Sequence, residues 1–390
     1  MPIPHRTHAL ACYALSQSAL PLAERLATCL TASPWNLPGH TPRHTHEGVP
    51  ATLDSVQIFS PARFCPVGAT PFDKISSLLA ETYPSFAAHA FIGATGIAVR
   101  ALAPLLEHKS TDAPVLVLDP AGDYVISLLA GHWGGGNELA RHVANLLHAA
   151  PVITTASDAA QAMPGAVQTP TPALDLLLRD AGLPPVDWNR LPAVQAALLE
   201  GEQFHLWDPC RAVPEHPGLL PLPVASTDTR PPTDEIRMVA AHWRRLDPRP
   251  TTLRVAVPRL VLGLGCRKGI PASLVQNAVN DLLAQQGLEP LALAAFATVN
   301  EKLQEPALLA LAGSMRIPLR GFAASDLALC PTPNPSAAAG RRFDQPPFSV
   351  CEAAALLAAA HIFPAGAPRL LVHKTTVQGQ LTMAIALAAA

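Results

Sequence analysis

Apolar runs and amphipathic stretches alternate along the chain. Ala9–Leu15, Val56–Phe59, Ala88–Ile92 and Val115–Leu118 are continuous apolar segments, the pattern of strands buried on both faces. Ser18–Leu30, Phe72–Thr82, Ile97–Leu106 and Asn137–His148 instead return apolar residues at helical spacing. This alternation predicts parallel βα units. A second set follows: strand Arg259–Leu264, helix Ala272–Gln285, strand Pro290–Ala294 and helices Asn300–Gly313 and Val350–Ala360. The chain then closes with Arg369–His373 and Leu381–Leu387, separated by Thr-Thr-Val-Gln-Gly-Gln, which predict a hairpin. No internal repeat relates the two sets. The fold class expected is α/β: an N-terminal parallel-sheet region, a variable connector, and a separate C-terminal α/β domain.

Proline supplies the punctuation. The chain has 42 prolines in 390 residues, clustered in Trp35–Pro50, Pro209–Pro250 and Thr332–Pro347. The first reads as a surface loop, the second as a linker and the third as a flexible insertion. The resulting domains are 1–165, a central region 166–252, and 253–390.

Composition narrows the function classes. The chain is 49% hydrophobic and 14% charged, against about 25% charged on average, so it can bury a sizeable core and is not a disordered polymer. Twenty-seven Lys and Arg against 29 Asp and Glu leave a net charge of −2, no surplus for a nucleic-acid backbone. Seven scattered Cys without a C-x-x-C pair argue against a disulfide framework or a structural zinc site and fit a reducing cytoplasm. The uncharged stretches Ala353–Pro368 and Thr375–Ala390 are too short and too interrupted to span a membrane. Thr7–Ala23, broken by His8, Gln17 and Pro21, reads as strand and helix rather than a signal sequence. A soluble cytoplasmic protein is expected.

Three segments offer chemistry. Ala94–Pro104 turns through Thr95-Gly96 from a buried strand into a helix; Thr95 is the expected N-cap, and Arg100, about one turn on, can fork onto a carboxylate. The bland alternative is a capped helix with a solvated arginine. Ser127–Arg141 places His132 and the run Gly134, Gly135 and Gly136 between a strand and an amphipathic helix, as if a ligand approached the main chain. His132 there can act as general base; Asn137 and Glu138 follow at the helix start, where they can also serve only as caps. The third, Leu262–Gly269, contains Gly263, Gly265, Arg267 and Lys268. It lacks the dinucleotide fingerprint, which needs glycine at Lys268, and it lacks the P-loop order. Its paired cations still suit an anion. Cys266 beside them is a weaker candidate nucleophile. Lys302, Glu305, Glu352 and Lys374 complete the ionisable candidates, with a shared cleft as the expectation. His40, His44 and His46 lie in a loop too rich in proline and glycine for a rigid metal cage, and no metal is expected.

Taken in order, ATGIAVRALAPLL, KSTDAPVLVLD, ISLLAGHWGGGNELARHVA, GLGCRKG, ATVNEKLQE, PLRGFAASDL, SVCEAAALL and HKTTVQGQLTMAIA resemble the cobalt-precorrin-5A hydrolase (CbiG) family of anaerobic cobalamin biosynthesis, over most of residues 8–165 and 259–388. The departures are Gly136 where alanine is expected, Gly269-Ile-Pro where a small hydroxyl residue is expected, and the proline-rich stretch before Phe343. The resemblance implies a cobalt-containing tetrapyrrole substrate, with cobalt carried by that substrate and no separate cofactor. Its ring A lactone would be opened by water to give cobalt-precorrin-5B and acetaldehyde, a hydrolysis that cuts a carbon–carbon bond, and the product would pass to neighbouring pathway enzymes. His132 or Glu138 would activate water, and the amides of Gly134–Gly136 would meet the oxyanion. Thr95, Gly96, Arg100, Asn137, Gly263, Gly265, Arg267, Lys268, Lys302, Glu305, Glu352 and Lys374 would bind substrate. A non-catalytic corrinoid carrier is the competing reading; a nicotinamide enzyme is a third, disfavoured by Lys268.

Overall fold

The computed structural model describes residues 7–36, 52–109, 111–155, 173–224, 230–232, 236–364 and 366–388. His40, His44 and His46 lie outside the described residues. The described chain divides into two compact units, the first ending at Asp180 and the second beginning at Ala181.

The first unit is a three-layer α/β sandwich. Its strands are β1 (Thr7–Ala14), β2 (Ser55–Pro61), β3 (Thr70–Phe72), β4 (Phe86–Ile92), β5 (Val115–Leu118), β6 (Tyr124–Leu129) and β7 (Ala150–Val152). They form one sheet in the order β3-β2-β1-β4-β5-β6-β7. Every neighbouring pair is parallel except β5 and β6. Both faces are buried because successive residues point opposite ways. Leu10, Cys12 and Ala14 pack under α1 (Leu20–Ala32) and α4 (Gly136–Leu147). Ala11 and Tyr13 pack with α2 (Ile75–Thr82) and α3 (Thr95–Leu102) on the other side. A short helix, α5 (Leu174–Asp180), ends this unit, so its boundary falls beyond residue 165, where the sequence placed it.

The second unit holds two sheets. Helix α6 (Leu191–Leu199) precedes β8 (Phe204–Trp207), β9 (Leu219–Pro221), β10 (Met238–His242) and β11 (Thr252–Ala256), which form an all-parallel sheet in the order β9-β8-β10-β11. The stretch Pro209–Pro250 is therefore no linker. Its prolines sit around β9 and β10, and all five residues of β10, Met238–His242, are buried. The other sheet comprises β12 (Leu260–Cys266), β13 (Leu293–Val299), β14 (Leu319–Phe322), β15 (Arg369–Val377) and β16 (Leu381–Leu387), in the order β14-β13-β12-β16-β15. β12, β13 and β14 are parallel, and β15 and β16 form the expected antiparallel hairpin.

Helices α7 (Ala272–Gln285), α8 (Pro306–Met315), α9 (Ala324–Leu329), α10 (Ala337–Phe343) and α11 (Val350–Ile362) complete the unit. The helix expected over Asn300–Gly313 starts only at Pro306, since proline suits the first turn but not the interior; Asn300–Lys302 is a single 3-10 turn before it. The segment Thr332–Pro347, expected to be a flexible insertion, contains α10. Ser336 caps that helix by accepting from the Ala339 amide at 3.4 Å, and the Ser336 amide is bonded to the Phe348 carbonyl at 3.0 Å.

Candidate active site

The loop after β6 is built by close contacts between main chains. Ala130 adopts a left-handed φ of 53°, and Gly135 follows with φ 79° as the residue preceding α4. A Cβ on Gly134 would lie 2.6 Å from the Ala130 Cβ, and one on Gly136 would lie 2.8 Å from the Leu129 carbonyl oxygen. Packing and one left-handed turn thus account for all three glycines. Their amides are largely consumed as well: Gly135 donates to the His132 carbonyl at 3.0 Å, Gly136 to Ala130 at 3.0 Å, and Asn137 to Gly131 at 2.9 Å. The expected oxyanion cradle of Gly134–Gly136 is corrected accordingly. Among the described residues the Gly134 amide alone of the three stands outside this ladder. Asn137 is buried and its Nδ2 donates to Thr155 Oγ1 at 3.0 Å, an anchor for the loop rather than a group offered to a ligand.

Helix α5 reaches this loop with two side chains. Asp175 Oδ2 lies 2.8 Å from His132 Nδ1, and both residues are half-buried. Arg179, four positions later and so on the same helix face, is buried. Its Nη1 donates to the His132 carbonyl. Its Nη2 donates to Glu138 Oε1 at 3.0 Å and its Nε to Asp180 Oδ1 at 2.8 Å. Burial alone would lower the affinity of this guanidinium for its proton, but the hydrogen bonds and charges of Glu138 and Asp180 outweigh that and hold it firmly cationic. Asp175 and Arg179 escape sequence reasoning, because an aspartate and an arginine on a short apolar helix carry no motif and lie 43 and 47 residues from His132.

The Thr95 segment stands elsewhere. Helix α3 begins at Thr95 itself, Ala94 occupies the cap position, and no side chain caps it, which corrects the N-cap expectation. Gly96 and Arg100 are exposed, and Arg100 Nη1 only folds back to the Gly96 carbonyl at 3.3 Å. The sheet register decides its relation to His132. Leu118 pairs with Ile92 and Val125, whereas Val115 pairs with His89 and Leu129. Because β6 runs against β5, His132 leaves the sheet at the edge where β4 and β5 begin, and Thr95 leaves where they end. Three strand positions, about 10 Å, separate those rows, and the two loops diverge from them. Thr95, Gly96 and Arg100 therefore share no site edge with His132.

In the second unit the parallel run of β12, β13 and β14 brings Cys266, Val299 and Phe322 to one edge. Arg267 and Lys268 are exposed there. Gly269, with φ 73°, turns the chain so that its amide donates to Glu305 Oε1 at 2.7 Å. Lys302 Nζ holds the other oxygen, Oε2, at 2.8 Å, and both side chains are buried. Burial pushes the Glu305 carboxyl up, but the Lys302 and Gly269 hydrogen bonds and the charges of Lys302 and Lys268 bring it below the usual glutamate value. Glu352, fully buried in the first turn of α11, accepts from Asn334 Nδ2 at 2.7 Å, the Asn334 amide at 3.1 Å and the Lys374 amide at 3.0 Å. Lys374 Nζ in turn donates to the Asn334 carbonyl at 3.4 Å. The four residues expected in one cleft form two groups, each spent on tying loops, and no hydrogen bond joins them among the described residues.

The glycines of this motif serve packing. A Cβ on Gly263 would lie 1.8 Å from the Cys351 carbonyl oxygen of α11, and one on Gly265 would lie 2.6 Å from Thr382 Oγ1. Both glycines face neighbouring protein atoms. Burial raises the Cys266 thiol above its usual value; Lys302 and Arg342 pull it down and Glu305 up, with burial dominant. That is the wrong direction for a thiolate nucleophile. No group of three or more His, Cys, Asp or Glu able to hold a metal occurs among the described residues, and none of the described helices is long and apolar enough to cross a membrane.

Two family models match the chain: Cobalamin synthesis G N-terminal over residues 77–158 and Cobalamin synthesis G C-terminus over residues 260–386. A cobalt-precorrin-5A hydrolase of Salmonella typhimurium (strain LT2) is 35% identical over 266 residues, 67% of this chain and 73% of that one. The chain belongs to the CbiG family. A cobalt-precorrin-5A hydrolase of Priestia megaterium is 29% identical over 252 residues, 61% of this chain and 64% of that one. A solved structure of a cobalamin biosynthesis protein G homolog from Sulfolobus solfataricus aligns over 99% of both chains at 16% identity, with a TM-score of 0.34. The CbiG matches enclose His132, Glu138 and every candidate of the β12–β16 sheet, while Asp175 and Arg179 fall between the two matched spans.

Proposed function

We propose that this CbiG member hydrolyses the ring A lactone of cobalt-precorrin-5A, giving cobalt-precorrin-5B and acetaldehyde. The observation that carries the reading is the 35% identity to a protein of that name across 73% of its length. The first unit supplies support, because the matched loop carries an imidazole, His132, with proton-transfer capacity.

Water activated at this loop adds to the lactone carbonyl, and the acyl–oxygen bond breaks to free the ring A acetate. The released alcohol then loses its proton and collapses: its oxygen forms a carbonyl to the carbon bearing the methyl group. The bond from that carbon to the macrocycle breaks, and the electron pair and a proton pass to the conjugated ring. Water and lactone are thereby converted into acetaldehyde and a macrocycle that carries the freed ring A carboxylic acid. With the Gly135 and Gly136 amides engaged, the Gly134 amide is the donor of the trio left for the oxyanion. The cobalt travels with the substrate.

The test is anaerobic incubation of the full chain with fresh cobalt-precorrin-5A, trapping of volatile aldehyde, and boiled protein as control. Enzyme-dependent acetaldehyde with the lactone-opened product is the expected result. Tight binding without aldehyde would replace the hydrolase with a corrinoid carrier, and neither would remove the substrate from consideration.

A further inference from the structure

We infer that helix α5 selects His132 as the general base: Asp175 fixes its tautomer, and Arg179 fixes its loop while holding Glu138 out of proton transfer. The inference rests on the hydrolase reading above for its chemistry, though not for its geometry.

Two contacts from one helix grip the two halves of one residue. Asp175 takes the ring and Arg179 takes the main-chain carbonyl, one helical turn apart. A carboxylate offers only acceptors, so the 2.8 Å contact requires the hydrogen on His132 Nδ1, and in the neutral ring the lone pair is then on Nε2. The carboxylate is itself oriented, since Asp175 Oδ1 accepts from the Leu176 amide at 3.0 Å. A base, an orienting carboxylate and a main-chain anchor are thus present together, the arrangement that preorganises an imidazole for proton transfer.

The same helix decides against Glu138. Its Oε1 is held at 3.0 Å by a guanidinium that is 4% exposed and cannot lose its proton. Glu138 and Asp180 are the two carboxylate partners of this buried cation, which needs both charges to offset its burial. Glu138 is thereby a counter-ion whose work is structural. Asp175 and Arg179 are positioning residues, since both act through His132 and its loop.

Two readouts test this. The nitrogen-15 spectrum of His132 in the unmodified full chain reports the tautomer without any substrate. A hydrogen on Nδ1 is expected, and one fixed on Nε2 overturns the inference whether or not any variant folds. In acetaldehyde assays, Asp175→Asn is expected to move the hydrogen towards Nε2 and lower kcat by roughly 10²–10⁴-fold with KM within about threefold. Asp175→Glu should restore part of that loss. Glu138→Gln, which keeps an acceptor for Arg179, is expected to retain turnover within about tenfold, whereas His132→Gln loses it. An inactive Glu138→Gln beside an active His132→Gln would reverse the assignment. If the unmodified chain makes no acetaldehyde, the hydrolase reading fails by itself, and the tautomer still reports separately on Asp175.

Discussion

The glycines of Gly263-Leu-Gly-Cys-Arg-Lys-Gly269 distinguish a packing role from a ligand role by a graded substitution series. Gly263→Ala drives a methyl group to 1.8 Å from the Cys351 carbonyl oxygen and 2.8 Å from its carbon, both main-chain atoms of α11 that no rotamer can move aside. Strand and helix must separate by more than about 1 Å, through a core in which Ala353, Ala354, Ala355, Ala358 and Ala359 are buried side by side. Overpacking of that kind costs about 3 kcal/mol or more. Gly265→Ala meets only the Thr382 hydroxyl, a rotatable group that now donates to the Gly265 carbonyl at 3.1 Å, so its cost is about 1 kcal/mol, the loss of that bond. Gly269→Ala opens onto empty space and bears only the left-handed backbone at φ 73°, about 1–2 kcal/mol. Urea unfolding followed by circular dichroism, with the slope checked for constancy, measures the three. Gly263→Ala is expected to lose more stability than either neighbour. If it unfolds at the midpoint of the unmodified chain, the helix and strand are not in contact as described, and the motif's first glycine must be explained by a ligand.

Three further outcomes follow from the buried charges. Glu305→Ala leaves Lys302 buried without a counter-charge and should cost about 3 kcal/mol in the same unfolding assay, while the pair Lys302→Met with Glu305→Leu should recover most of it. Glu305 and Glu352 both have carboxyls below the usual glutamate value: burial raises each, and the hydrogen bonds of Lys302 and Gly269, or of Asn334 and Lys374, outweigh it. Their stabilisation is therefore complete above the unfolded-state value near 4.5 and is lost as pH falls through the lower folded values. Thermal melts between neutral pH and pH 3 should show a decline that Glu352→Gln makes shallower. Cys266→Ser should leave acetaldehyde formation within about threefold of the unmodified chain, because a half-buried thiol with a raised pKa is not poised as a nucleophile; loss of activity beyond a hundredfold would restore it to the mechanism.

Much of the fold was legible because it is written in local periodicity. Continuous apolar runs gave β1, β4 and β5 to within a few residues, and the Ala272–Gln285 pattern is the observed α7. The closing hairpin was legible from two apolar runs around a polar hexapeptide. Proline misled where it was read as a break. It punctuates β8–β10 and α10 without dissolving them, because proline excludes particular ladder and helix-interior positions and leaves the surrounding segments able to pack.

The amino-acid sequence by itself determined many of the strands and helices, the loops that carry His132 and Arg267, and, through the ordered motifs, the CbiG family. Tertiary structure alone decided how loops within one unit relate. β6, joined to β5 by the short turn Asp119–Asp123, runs against it and so carries His132 to the edge opposite Thr95. Side-chain partners have no period. Asp175 and Arg179 meet His132 only because the chain returns after 43 residues to lay α5 against the glycine loop. The motif glycines were visible as glycines, but whether they admit a ligand or a neighbouring main chain is a question of distance, and only folding sets distances.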